Sequence, residues 1–182
     1  MRDATIISQA KAALVAGALI GLGVLAGCVS DHTSPPTATP SPAFVSEAAA
    51  FAAAEEVYRA YNDASNARRS GADDADPQRF LTGLALEDDI DTQNSLRSSG
   101  LTAAGTAEIT SILGKAGVLS ASDARITMAI CLDVSDVLLL DGAGMDITPV
   151  ERGDTVALEV LLVGGADSLL ISDALPTNEG GC

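Results

Sequence analysis

The chain has no tryptophan, one histidine and only five other aromatics, two tyrosines and three phenylalanines, among 182 residues. The histidine, His32, sits in a stretch of serine, threonine and proline. The body of the chain therefore cannot form a Ser-His or Cys-His dyad for nucleophilic catalysis. It is also poorly provisioned with ligands for a transition metal. Positive charge is scarce: 10 Lys and Arg stand against 25 Asp and Glu, a formal charge of -15. That excludes binding nucleic acid or an anionic membrane through a broad basic patch. No glycine-rich turn follows a strand and opens a helix, so no phosphate cradle is read. No cofactor or metal site is expected. Long hydrophobic runs are missing too. The run from Ala12 to Gly27 is about 16 residues, short of the roughly 20 that span a bilayer as a helix.

What is present at the start is an address. Arg2 and Lys11 precede that apolar run, and it ends in Leu25-Ala26-Gly27-Cys28. A basic start, a short apolar segment and small residues before a cut site read as a secretory signal. Leu-Ala-Gly-Cys resembles the lipobox of bacterial lipoproteins. The resemblance implies cleavage after Gly27, a diacylglycerol thioether on Cys28 and acylation of the new amino terminus. Two or three acyl chains give stable anchoring, at about 0.8 kcal/mol per buried methylene. The expected location is the cell membrane, on its extracytoplasmic face. Losing residues 1–27 removes Arg2, Lys11 and Asp3, which leaves the remainder one unit more negative.

Residues 28–43 are rich in Ser, Thr and Pro and bury too little to order. They read as a semi-stiff spacer. With Cys28 acylated, Cys131 and Cys182 remain as an even pair outside the cytoplasm, and a disulfide between them is expected.

Residues 44–182 read as one domain. Phe51, Ala54, Tyr58, Tyr61 and Ala64 recur at spacings of three and four, one face of a long helix. Glu47, Glu55, Arg59, Asp63 and Asn66 are its polar residues, with Gly71 as the stop. Asp76-Pro77 starts a short helix to about Leu84, and a further helix runs from about Leu86 to Ser98. Glu87, Asp88 and Asp89 then fall in its first turn, at the positive end of the dipole. The same acidic cluster lacks the glycine and the bidentate glutamate of a calcium loop.

After Gly100 the pattern turns to strands. Thr106–Leu113 is weak. Ala124–Val134 alternates cleanly, with Ile126, Met128, Ile130 and Leu132 on one side. Val137–Leu140 is short. Thr155–Val163 is apolar at nearly every position, as for a central strand covered on both faces. Gly164–Asp167 turns into a last strand, Ser168–Ala174. Helices followed by adjacent strands give an α+β fold. The expectation is a long N-terminal helix and one or two short ones packed on a curved antiparallel sheet of four to five strands.

Phe51-Ala-Ala-Ala-Glu55, Tyr58-Arg59-Ala60-Tyr61, Ile130-Cys131-Leu132-Asp133-Val134-Ser135 and Ala157-Leu158-Glu159-Val160 resemble a group of actinobacterial lipoproteins of uncharacterised function. A terminal cysteine is typical of that group. The resemblance implies a cone-shaped sheet around the long helix, the nuclear transport factor 2-like or SnoaL-like class. That class holds enzymes and plain binding domains alike.

Three functions follow for comparison. The first is a lipid-anchored domain that binds a protein, a peptide or an envelope component. The second is a module for a small apolar ligand, with Tyr58, Tyr61 and Asp133 as the candidate pocket residues. The third is an isomerase or cyclase working through a buried aspartate. An open cavity at the tyrosines points to the second. A buried carboxylate of raised pKa points to the third, and a filled core with an apolar surface patch to the first.

Overall fold

The computed structural model describes residues 43–178 and Cys182. The expected signal segment, the expected lipidation at Cys28 and the expected spacer up to residue 42 lie outside the described residues. Helix α1 spans Glu47–Arg69. Ser46 caps it, its hydroxyl accepting from Ala49 N at 3.1 Å. Glu47 at the front and Arg68 and Arg69 at the back match the helix dipole. A 3-10 turn, Pro77–Phe80, follows, shorter than the helix expected there. Helix α2 runs from Gly83 to Ser99 and ends on Gly100 in the left-handed region. It starts ahead of the predicted Leu86, so Glu87 to Asp89 fall outside its first turn.

The strands are β1 (Thr102–Ala104), β2 (Glu108–Leu119), β3 (Ala124–Asp133), β4 (Leu138–Leu140), β5 (Thr155–Gly164) and β6 (Leu170–Pro176). Four of them form an antiparallel sheet in the order β2-β3-β5-β6, and β1 pairs with β4 in a separate two-stranded ladder. The fold is α+β, with the long helix first and the helices on one side of the main sheet. β2 is much longer than the weak signal suggested. It runs through Gly114 and Gly117, residues that weaken a strand on propensity alone. Packing demands them. A Cβ at Gly114 would stand 2.5 Å from Cγ of Phe51, and one at Gly117 would stand 3.1 Å from Cγ of Glu47. α1 lies that close to the sheet.

The core sits between α1 and the sheet. Ala50, Ala54 and Tyr58 face Ile126, Met128 and Ile130 of β3 and Val160 and Leu162 of β5, all buried. Register explains the match: Met128 stands opposite Val160 and Ile126 opposite Leu162, so each pair shares a face. Each such side chain contributes about 1.5–3 kcal/mol by leaving water. β5 is central, as its apolar run suggests, but the helices cover one face only. Leu161 and Val163 lie on the other, half-buried. On that same face Cys131 is joined to Cys182, Cα to Cα 5.5 Å, as the cysteine count predicts. Among the described residues no helix is long and apolar enough to cross a membrane.

A candidate ligand-binding cavity

α1 carries one buried stripe: Ala50, Ala54, Tyr58, Asn62 and Ser65. The spacing is helical, but the chemistry changes halfway. The first half is apolar and fills the core. The second half is polar, and it borders a cavity of about 630 Å3 between α1, α2 and the near edge of the sheet. That size suits a small organic molecule. Tyr58, Tyr61, Asn62, Ser65, Arg68 and Arg69 line it from α1. Ala85, Asp89 and Leu96 line it from α2, and Leu132, Leu158, Ile171 and Ala174 from the sheet.

Much of the polar wall is spoken for. Asn62 Nδ2 donates to the Ala107 carbonyl at 3.0 Å. Asn66 brackets the same residue, donating to its carbonyl at 3.1 Å and accepting from its N–H at 2.9 Å. These bonds tie α1 to the chain entering β2. Arg68 grips Asp89 through both nitrogens, at 2.9 and 2.6 Å, and Gln78 adds a third bond at 2.9 Å. Burial works to raise the Asp89 carboxyl, yet these bonds and the Arg68 charge outweigh it and hold it below the usual carboxylate range. The bond to Asp89 likewise raises Arg68. Asp89 is thus an ionised structural partner, fixed between helix and turn.

Other groups have spare capacity. The Tyr58 phenol is pushed above its ordinary pKa by burial, with the neighbouring Tyr61 adding to the shift. It stays a neutral O–H donor. Tyr61 is raised chiefly by burial too, and the two rings lie 5.8 Å apart. Ser65 Oγ is buried at the wall beside Tyr61 and closes no well-formed hydrogen bond. Arg69 donates to the Gly105 carbonyl at 3.3 Å and to Asn66 Oδ1. Both partners are neutral.

Of the candidate pocket residues, Tyr58 and Tyr61 line the cavity. Asp133 does not. It lies at the end of β3 with its carboxylate in solvent, accepting from the N–H and hydroxyl of Ser135 at 2.9 and 2.7 Å. Those bonds lower its pKa. A carboxylate two residues from a hydroxyl closes a local turn more readily than it reaches a cavity. Asn62, Ser65 and Arg69 were not singled out from the sequence. Their signal was there: they continue the Tyr58 face at steps of four, three and four.

The fold and the cavity define a class: an α+β domain with a concave site between its helices and its sheet. No family model matches the chain, and no curated protein matches it. Among solved structures it is similar to the intermembrane space region of the chloroplast protein ARC6. The two share 13% identity at a TM-score of 0.45, over 68% of this chain and 92% of that one. That likeness is too distant to carry an argument.

Proposed function

We propose that the chain is a lipoprotein, anchored through Cys28 outside the cell, whose folded domain binds a small, largely apolar ligand. The lipobox-like Leu25–Cys28 and the resemblance to actinobacterial lipoproteins support the address. The cavity of about 630 Å3 carries the binding reading. It is open, it touches both tyrosines, and apolar side chains from the sheet form its floor. The enzyme reading needs a carboxylate able to take a proton there. Asp89 is committed to Arg68 and Gln78, Asp88 at the cavity wall is exposed to water rather than enclosed, and Asp133 lies elsewhere.

Two measurements test the proposal. Growth with an alkyne palmitate analogue should label the wild-type chain and leave Cys28→Ala unlabelled; an unlabelled wild type removes the anchor. A neutral apolar dye such as N-phenyl-1-naphthylamine should bind the full chain saturably. Ala174→Phe, which fills the cavity from β6, should weaken that binding at least tenfold without lowering the unfolding temperature. Dye uptake indifferent to Ala174→Phe would remove the cavity reading.

A further inference from the structure

We propose that the ligand of this cavity is an amphiphile with an oxyanion head, a carboxylate or a phosphate, seated at Arg69 with its apolar body against the sheet. This rests on the cavity being a ligand site and adds the chemistry of what it takes.

Charge balance comes first. Arg68, Arg69 and Arg97 line the cavity with Asp88 and Asp89; Arg68 pairs with Asp89, Arg97 and Asp88 are exposed to water, and Arg69 is half-buried without a counter-ion. Among the described residues no carboxylate lies within 4 Å of Arg69, although acidic residues outnumber basic ones 25 to 10. A guanidinium has five N–H donors in a planar fork. Arg69 uses Nε on Gly105 O and Nη2 on Asn66 Oδ1, which leaves about three unspent. Burial lowers the pKa of Arg69, the mark of a cation removed from water without compensation. Such a fork suits carboxylate and phosphate oxygens.

Two hydroxyls stand on the same helix face as Arg69. Ser65 lies one turn before Arg69 on the same face, 4% exposed, with its Oγ close to the Tyr61 hydroxyl but closing no well-formed bond. Tyr58, two turns before that, is 2% exposed and borders the cavity. A buried polar group left unmade costs about 1–3 kcal/mol. Two hydroxyls able to donate and a cation with unspent N–H groups, on one side of an open cavity, suit an acceptor. The opposite wall, Leu132, Leu158, Ile171 and Ala174, offers nothing polar but backbone already engaged in strands. One end asks for an anion and the other for hydrocarbon.

The test is calorimetric titration of the full chain with four ten-carbon probes below their micelle concentrations: decanoate, decyl phosphate, methyl decanoate and decyltrimethylammonium. At least one anion should bind tenfold or more tighter than the neutral ester and the cation. Arg69→Gln should bring that anion down to the level of the ester and leave the ester unchanged, with Arg69→Lys in between. Ester binding by Arg69→Gln also reports that the variant is folded. Should the variant not fold, the wild type decides alone: the carboxyl 13C shift of bound decanoate, or the 31P shift of bound decyl phosphate, should titrate at lower pH than free. Ester and anions of equal affinity overturn the oxyanion head and leave the ligand site standing. Dye uptake blocked by Ala174→Phe with none of the four probes bound overturns it as well. Loss of dye and probes together removes both.

Discussion

Gly114 sets how close the long helix lies to the sheet. With 2.5 Å between its notional Cβ and the root of the Phe51 ring, any side chain there displaces a ring that packs on the core. Gly114→Ala should cost about 1–3 kcal/mol, the range for overpacking. Phe51→Leu in the same chain should recover part of that loss, since residues in contact do not act independently. Thermal unfolding of both singles and the double checks it; additive losses would mean that the ring moves aside freely. From the sequence the weak strand ends at Leu113, one residue short of this glycine, which has no evident purpose there. A missing side chain gains meaning only from what occupies its place, and Phe51 is 63 positions away.

At the scale of elements, α1 and α2 are held together by the Arg68–Asp89 pair more than by burial, for α2 has no fully buried residue. The carboxyl of Asp89 is lowered in the folded chain, so its contribution is complete above the ordinary carboxylate pKa of about 3.9. It is lost as pH falls through the lower folded value. Asp89→Asn should therefore cost about 1–3 kcal/mol at neutral pH, the worth of bonds to a charged group. The gap to wild type should close as pH drops below about 4, as denaturant melts at pH 7, 5 and 3 would show. A gap that stays constant with pH would remove the ion pair as the cause. The length of α1, the alternation of β3 and the turn after β5 were legible from periodicity. The function of Glu87–Asp91 was not. Glu87, Asp88 and Asp89 read as a dipole-matching first turn, whereas α2 starts earlier and Asp89 bonds Arg68.

For the molecule as a whole, the cysteine staple is the largest single term that can be removed cleanly. The sulfurs close a separation of 51 residues, worth about 4 kcal/mol in the chain-entropy account. Cys182→Ser should lower the unfolding temperature by on the order of 10 °C, and reduced wild type should match it. A variant as stable as wild type would show that the sheet holds that edge unaided. The cavity lies on the opposite side of the sheet from this bond, so ligand affinity should outlast its removal. Net charge acts at this scale too. A strongly acidic body repels anions at a distance, so an anion gains most at the half-buried Arg69 inside the cavity.

By itself the sequence determined the α+β class, the helix that opens the domain, the sheet that follows and the pairing of its last two cysteines. Each of these rests on periodicity or on counting, which survive without knowing what lies near what. Only the tertiary structure decided that the inner face of α1 leaves the core halfway along, that Arg68 is neutralised while Arg69 is not, and that Asp133 lies apart from the tyrosines. Those facts depend on which side chains, distant in the chain, come within a few ångströms of each other, and no local pattern encodes that distance.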